Sequence, residues 1–301
     1  MLELTSEARG QSRRIFSGEK LVIFSTAFFS LLIIIDFLLN NNQAIWLIPV
    51  SLVVILIFFW LPVLRQKISD RSRWFFVLSA LPLAGYAYLY KLAGALVHFL
   101  GFDWQDELLV KADCWIFGFS PNLKIVRFYH PILTELMMVA YVAYLPLVVL
   151  LAYVIFLKKG QESLQKYVFT LGLAYLLCFI FFILFPASSP RFIFTELKPT
   201  GGFLFRRLMD LVETSAQYRG GSFPSAHCAA GTVMICYAWR TGRKTFLLIT
   251  PMILLFFLST VYGQYHYGVD VLAGVLVGLL AVFLSRLGGR KLFQPNKQDQ
   301  Q

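Results

Sequence analysis

Eight long apolar segments constrain the fold of this chain more strongly than any other feature of its sequence. A transmembrane helix needs roughly 20 apolar residues, and such segments lie at 20–39, 44–64, 74–99, 132–157, 167–186, 225–240, 245–263 and 267–287. Hydrophobic residues make up 58% of the chain and charged residues 14%, whereas soluble domains have about 45–50% and about 25%. The sequence therefore predicts an all-α, polytopic membrane bundle of about eight transmembrane helices.

The distribution of basic residues predicts how this bundle is oriented. Most of the 27 Lys and Arg residues fall in the two terminal segments and the short loops on one side of the predicted membrane. Because short basic loops remain in the cytoplasm, both termini are expected to be cytoplasmic. The two long loops, 100–131 and 187–224, then lie on the extracytoplasmic side (periplasmic or lumenal), and the first of them predicts an interfacial helix. The net charge of +11 thus reflects topology and contact with lipid head groups, and no nucleic-acid partner is expected.

The segment that opens the sixth span has the pattern of an anion-binding helix start. It reads Gly220-Gly221-Ser222-Phe223-Pro224-Ser225-Ala226-His227. The glycines permit a tight turn, Ser225 is a good helix-start residue, and His227 would lie in the first turn. Since a helix N-terminus offers unpaired N–H groups and a partial positive charge, it is a common site for phosphate.

Two further segments place reactive or charged side chains at the same membrane face. His266 and Asp270 open the eighth span four residues apart, so a helix would bring them onto one face. A carboxylate that holds one imidazole nitrogen leaves the other free to act as a nucleophile or base. Arg191 follows the fifth span, and its planar guanidinium can bind an anionic oxygen.

Each of these residues also has an ordinary structural interpretation. A histidine at a membrane edge is commonly an interfacial residue, and a Pro-Arg pair after a span commonly ends a helix. Together, however, two histidines, a carboxylate, an arginine and a helix N-terminus on one face predict a phosphoryl-transfer site. The four cysteines show no Cys-x-x-Cys spacing, so a metal bound by cysteine is not expected. No other metal site and no cofactor are expected either.

These motifs resemble the type-2 phosphatidic acid phosphatase superfamily. The resemblance rests on Phe223-Pro224-Ser225-Ala226-His227 and on Ser259-Thr260, followed after five residues by His266 and after three more by Asp270. The sequence is most similar to the branch of the inositol phosphorylceramide synthases and their bacterial relatives. The resemblance implies a six-helix catalytic core at 74–287, preceded by a cytoplasmic segment and two additional helices at 1–73 and followed by a cytoplasmic tail at 288–301.

The resemblance also implies a role for each motif residue. His266 would attack phosphorus and form a phosphohistidine, Asp270 would orient it, and His227 would protonate the leaving alcohol. Arg191, the hydroxyl of Ser225 and the N–H groups of the sixth helix would hold the phosphoryl oxygens.

Two cations of the superfamily pattern are missing from this chain. Thr260 stands where the superfamily has Arg, Leu184 stands where its first motif has Lys, and Pro190-Arg191 reverses the usual Arg-Pro order. Lys91 lies about 25 Å along its predicted span from the cytoplasmic end, level with the proposed site. It is therefore either an interfacial anchor or a replacement phosphate-binding cation.

The sequence leaves several functions open. A lipid phosphotransferase that moves a phosphoryl or phospho-head group to a lipid alcohol is the first expectation. A phosphatase acting on phosphatidate or polyprenyl phosphate is the second. A lipid transporter or scramblase, in which Asp36 and Lys91 would be substrate or coupling sites, is the alternative from another class. The expected partners are membrane lipids (a phospholipid, a polyprenyl phosphate or a sphingolipid), and the oligomeric state is left open.

Overall fold

Helices form all of the regular secondary structure in the part of the chain that the structure describes. The computed structural model describes residues 15–70, 72–199, 201–215 and 219–292. The predicted N-terminal segment at 1–14, with Arg9, Arg13 and Arg14, lies outside the described residues, as do Arg71 and the end of the predicted tail at 293–301. The helices are α1 (Ser17–Asn40), α2 (Leu47–Arg65), α3 (Arg73–Ala80), α4 (Pro82–Ala95), α5 (Asp106–Phe117), α6 (Pro121–Ile125), α7 (Pro131–Val142), α8 (Tyr144–Leu184), α9 (Pro190–Ile193), α10 (Leu204–Ser215), α11 (Ala226–Thr241), α12 (Arg243–Tyr262) and α13 (Gly268–Leu292).

Six helical segments are long and apolar enough to cross a membrane. They are Ser17–Asn40, Gln43–Arg65, Arg73–Ala95, Tyr144–Leu184, Arg243–Tyr262 and Gly268–Leu287. The second includes a short 3-10 turn ahead of α2, and the third joins α3 and α4 through Leu81. The prediction of an all-α polytopic membrane bundle is thereby confirmed.

The longest of these helices, α8, is a hairpin of two arms. Gly160 interrupts it with φ 78° and ψ −176°, a conformation that favours glycine. The Tyr167 hydroxyl donates to the carbonyl oxygen of Val148 at 3.2 Å, and the hydroxyls of Tyr144 and Tyr175 are hydrogen-bonded to each other. A continuous helix would separate Tyr144 from Tyr175 by about 46 Å, so the arms at 144–159 and 161–184 must fold back on each other.

This hairpin accounts for two of the eight predicted spans. The segment predicted at 132–157 corresponds to α7 together with the first arm, and the one predicted at 167–186 corresponds to the second arm. The second arm begins at residue 161, before the predicted start at 167, because a polar turn precedes its apolar part. In this exposed turn Lys166 is paired with Glu162. The span predicted at 225–240 is α11, which has only 16 residues.

Helix α11 lies at the centre of the bundle, packed against α8, α12 and α13. Two glycines allow it to approach α13 closely. A Cβ at Gly274 would lie 2.4 Å from the carbonyl oxygen of Ser225, and one at Gly278 would lie 2.5 Å from that of Ala229. Small residues at a helix interface permit this contact between backbones. The packing fixes the N-terminus of α11 beside the first turn of α13.

The two long loops contain helices. The prediction of a helix within 100–131 is confirmed by α5 and α6. Helix α10 in the second long loop was not predicted. The side chain of Glu135 accepts hydrogen bonds from the N–H groups of Phe203, Phe205 and Arg206 at its start. This capping carboxylate comes from α7, distant in sequence, so the local pattern does not reveal it.

The first two helices are held by a buried ion pair. Glu19 in the first turn of α1 accepts hydrogen bonds from the guanidinium of Arg65 at the end of α2, and both side chains are fully buried. The guanidinium also lies 3.5 Å from the centroid of the Phe16 ring. The pair joins the start of α1 to the end of α2 at one side of the membrane.

We expect the substitution Arg65→Met to lower the stability of the protein in detergent by about 3 kcal/mol, because it leaves the Glu19 carboxylate buried without its cation. The double substitution Glu19→Gln, Arg65→Met removes both charges and should be the less destabilised of the two. Thermal unfolding of the purified variants measures the difference. A single variant as stable as the wild type would contradict this role of the ion pair.

Candidate active site

The imidazole of His266 and the carboxylate of Asp270 form the centre of the candidate site. His266 Nδ1 lies 3.0 Å from the carbonyl oxygen of Ser222 and 3.4 Å from Asp270 Oδ2. Both neighbours are hydrogen-bond acceptors, which favours the tautomer with the proton on Nδ1. Nε2 then keeps its lone pair, as a nucleophile requires.

The way in which these two residues meet differs from the prediction. They were expected on one face of a helix, but α13 begins only at Gly268, and His266 lies in the turn before it. The Asp270 carboxylate accepts hydrogen bonds from the Tyr267 N–H at 2.9 Å and the Ser222 hydroxyl at 2.6 Å. These bonds fold the turn back over the first turn of α13. His266 and Asp270 therefore lie beside each other as predicted, but they meet through the turn and not along one face of a helix.

Burial sets the protonation state of His266. The side chain is almost completely enclosed, and loss of solvation lowers its pKa to about 4, with the positive charge of Arg191 acting in the same direction and the hydrogen bond to Ser222 opposing it. The imidazole is therefore neutral at physiological pH.

The ring of His227 faces His266 from the start of α11. The two ring centroids are 5.8 Å apart with an interplanar angle of 64°. Around His227 stand the rings of Tyr144, Tyr141 and Phe256, with centroids at 5.4, 5.7 and 5.9 Å. The second histidine thus faces the first and is surrounded by aromatic rings.

Ser225 forms the N-cap of α11, as its sequence position predicted. Its side-chain oxygen accepts a hydrogen bond from the Cys228 N–H at 3.3 Å, and its own N–H donates to the carbonyl oxygen of Asp270 at 3.1 Å. The hydroxyl oxygen is thereby used for capping, while the hydroxyl proton can still be donated to an anion. The second bond ties the start of α11 directly to Asp270.

Arg191 lies in the short helix α9, and its side chain is buried. Its N–H donates to the carbonyl oxygen of Gln264 at 2.9 Å, which attaches α9 to the turn that carries His266. The guanidinium lies 4.6 Å from the centroid of the Phe192 ring and 6.0 Å from that of Tyr265. The structure therefore brings Arg191 to the same site as the two histidines.

The backbone ahead of Arg191 is strained and held in place. Ser189 has φ 102°, a region that non-glycine residues rarely occupy and that persists when surrounding contacts enforce it. Its hydroxyl donates to the carbonyl oxygens of Tyr265 at 2.8 Å and Gln264 at 3.2 Å, and its N–H donates to Asp106 at 3.0 Å.

Two carboxylates of α5, Asp106 and Asp113, organise the site, although no functional role was predicted for either of them. Asp106 accepts hydrogen bonds from the N–H groups of Ser188 and Ser189 and from the Tyr267 hydroxyl. Asp113 accepts hydrogen bonds from the N–H groups of Gly268 at 3.1 Å and Val269 at 2.7 Å and so caps α13. Burial raises the pKa of Asp113 to about 6 although these hydrogen bonds oppose the shift. The sequence does contain a signal that α5 buries these carboxylates. Its buried face consists of Asp106, Leu109 and Asp113, which follow one another at helical spacing.

Two positions, those of Thr260 and Leu184, lack the basic residues of the superfamily pattern. No contact between Lys91 and the two histidines is seen in the described part of the chain. Lys91 is exposed on α4 and forms no hydrogen bond or ion pair within the described part of the chain. The Thr260 hydroxyl donates to the carbonyl oxygen of Phe257, and Leu184 is 51% exposed. The exposure of Lys91 favours the anchor interpretation, and its role as a phosphate-binding cation stays a prediction. A search of the described residues finds no group of three or more His, Cys, Asp or Glu side chains that could hold a metal ion.

Comparison with known families gives one match. The family model described as the PAP2 superfamily matches residues 107–284, which is more than half of the chain. The match includes α5 from its second residue, all of α6 to α12 and most of α13. Comparison with curated proteins and with solved structures gave no match. The matched region contains His227, His266, Asp270, Arg191 and Ser225, whereas α1 to α4 precede it. On this match, the chain belongs to the PAP2 superfamily, that of the type-2 phosphatidic acid phosphatases.

Proposed function

We propose that the protein is a lipid phosphotransfer enzyme in which His266 forms a phosphohistidine. The observation that carries the proposal is the neutral, buried imidazole of His266, oriented by Asp270 and facing His227 at 5.8 Å. Membership of the PAP2 superfamily supports a phosphatase or phosphotransferase function in general. The finer proposal, transfer to a lipid alcohol, rests on the resemblance to the inositol phosphorylceramide synthase branch.

In the first half-reaction Nε2 of His266 attacks the phosphorus of the donor lipid. The Nε2–P bond forms while the bond between phosphorus and the lipid alcohol oxygen breaks. A protonated His227 gives its proton to the leaving alkoxide. The imidazolium formed at His266 is stabilised by the carboxylate of Asp270 beside Nδ1.

In the second half-reaction the acceptor hydroxyl gives its proton to His227, and its oxygen attacks phosphorus as the Nε2–P bond breaks. A lipid alcohol as acceptor makes the enzyme a transferase, and water makes it a phosphatase. The aromatic rings of Tyr141, Tyr144 and Phe256 around His227 support the first outcome, since they place an apolar surface beside the base that activates the acceptor.

The phosphoryl oxygens are held by Arg191, the Ser225 hydroxyl and the first N–H groups of α11. This set carries fewer positive charges than the superfamily pattern. A phosphodiester, which has one negative charge at phosphorus, suits it better than a phosphomonoester.

The proposal is tested with a donor lipid labelled in phosphate, incubated with the purified protein in detergent with and without an added lipid alcohol. We expect the label to move to the alcohol, in preference to release into water. Release of the label at the same rate with and without the alcohol would establish the phosphatase instead, and retention of all label in the donor would contradict both.

The substitution His266→Ala should reduce turnover by at least about a thousandfold, because the covalent route is lost. Asp270→Asn should also be severely impaired, since the imidazole loses its orienting charge. The control is His130→Ala, which removes an exposed histidine from the N-cap of α7 and should retain wild-type turnover. Activity of His266→Ala within about tenfold of the control would contradict the covalent scheme.

The pH dependence of kcat/KM should reflect the lowered pKa of His266. Because this pKa is about 4, the imidazole stays neutral as the pH falls through about 6.5. The acid side of the profile, on which His266 becomes protonated, should therefore have its midpoint near pH 4. A phosphodiester donor is used because its own charge does not change in this range. Loss of activity with a midpoint near the ordinary histidine pKa of about 6.5 would contradict a buried nucleophile.

The proposed orientation, with both termini in the cytoplasm and the site outside, can be tested with a native residue. Cys114 on α5 is exposed, whereas Cys178 and Cys228 are buried within helices. An impermeant thiol reagent applied to intact cells should therefore label the wild type but not Cys114→Ser. In the Cys114→Ser background, Ser69→Cys in the exposed turn after α2 should react only after permeabilisation. The reverse pattern would place the site in the cytoplasm.

A further inference from the structure

An open cavity adjoins the candidate site on the same side of the membrane. Its volume is about 530 Å³, and its lining includes Asp36, Asn40, Asn42, Val97, His98 and Arg219. Within this lining only Arg219 lies in the region matched by the PAP2 family model. The other five belong to the end of α1, the turn after it and the turn after α4, all of which precede the matched region.

The buried carboxylate of Asp36 is the unusual feature of this cavity. The residue is 4% exposed, and its oxygens accept hydrogen bonds from the side-chain amides of Asn40 and Asn42. Asn42 is itself fixed through the carbonyl oxygen of Ala95 at 2.9 Å. Both of these partners are neutral amides, and Asp36 forms no ion pair with any described residue. A cationic group placed at this carboxylate would therefore gain a charge-assisted hydrogen bond.

Arg219 connects the cavity to the phosphate-binding part of the site. Its guanidinium lies 5.6 Å from the centroid of the Phe192 ring and 4.8 Å from that of Trp104. The guanidinium of Arg191 lies over the same Phe192 ring at 4.6 Å. The two arginines are thus neighbours across one ring, one beside His266 and the other in the cavity.

The loop that carries Arg219 also reaches the nucleophile. Gly220, with φ 108°, packs so closely on Val97 that a Cβ would lie 2.8 Å from its side chain. Two residues later, Ser222 accepts a hydrogen bond from the His266 ring and donates to Asp270. The cavity wall and the orienting contacts of His266 therefore belong to one short stretch of chain.

We propose that this cavity binds the head group of the donor lipid, and that this head group is zwitterionic, with a protonated amine placed at Asp36 and its phosphate between Arg219 and Arg191. The inference rests on the proposed function and specifies its substrate class. When the bond between phosphorus and the glyceride oxygen breaks, the phospho-head group remains on His266, and the amine contact at Asp36 retains it in the cavity until the acceptor arrives.

Other occupants fit the cavity less well. A neutral polyol head group would leave the charge of Asp36 without a counter-charge, and a phosphomonoester lipid has no head group to fill the space. A metal ion is disfavoured because the Asn40 and Asn42 amides present their nitrogens, which cannot ligate it, to the carboxylate.

The test compares four donors in mixed detergent micelles: phosphatidylethanolamine, its N-acetylated form, phosphatidylglycerol and phosphatidic acid. Release of diacylglycerol is the common readout, since all four yield it when the same bond breaks. We expect kcat/KM for phosphatidylethanolamine to exceed that for phosphatidylglycerol and for the N-acetylated lipid by about tenfold, the scale of one charge-assisted hydrogen bond. Equal values for these donors would overturn the proposal.

The substitution Asp36→Asn should reduce the preference for phosphatidylethanolamine over phosphatidylglycerol to within about twofold, mainly through KM. Glu196→Gln, which neutralises an exposed carboxylate outside the cavity, should keep the wild-type preference. An unchanged preference in Asp36→Asn would overturn the proposal. The N-acetylated lipid tests the same contact in the wild-type protein, so the result does not depend on the folding of a variant.

The outcomes also separate this inference from the proposed function. Turnover of phosphatidic acid and phosphatidylglycerol without a preference for the amine leaves the phosphohistidine scheme intact and refutes the head-group site alone. No turnover of any of the four donors contradicts both.

Discussion

The carboxylate of Asp270 is the point at which the separate parts of the site are joined. It accepts hydrogen bonds from the Ser222 hydroxyl and the Tyr267 N–H, and it lies 3.4 Å from the ring of His266. One buried acceptor is thus shared by the loop before α11, the turn before α13 and the ring of His266. Its position depends on the close packing of α11 on α13, which Gly274 permits. A residue with a side chain at 274 would move Asp270 away from Ser225 and, with it, the histidines from each other. The site is therefore a consequence of helix packing as much as of loop sequence.

A second layer of carboxylates holds this arrangement from outside the bundle. Helix α5 places Asp106 against the Ser188–Ser189 backbone and Asp113 at the N-terminus of α13. Both residues accept hydrogen bonds from backbone N–H groups that would otherwise be buried without partners. A buried donor without a partner costs about 1–3 kcal/mol. They thereby fix the segment that carries Arg191 and the start of α13 relative to α5.

The sequence predicts the all-α membrane fold class and the position of most apolar helices, because these depend on local patterns. Apolar length fixes the spans, and the Ser225 cap and the pairing of His266 with Asp270 follow from spacing along the chain. What it does not predict depends on contacts between distant segments. The role of Asp106 arises because Ser188, Ser189 and Tyr267 converge on it, and helix α10 begins where Glu135 of α7 supplies acceptors. The local geometry at His266 also escaped prediction, since the turn before α13 is held by hydrogen bonds to Asn122 and Ser222 from other parts of the fold.

In the proposed mechanism the phospho group is transferred through a covalent bond to His266. The most direct measurement mixes the protein with phosphate-labelled donor, stops the reaction in alkaline denaturant within milliseconds to seconds, and locates the label by peptide mass spectrometry. We expect a burst of label on His266 that is labile to acid, stable to alkali and discharged by a lipid alcohol. Two results would contradict transfer through His266. One is transfer of label to the alcohol while the rapid-quench samples contain no labelled protein, and the other is label on a different residue.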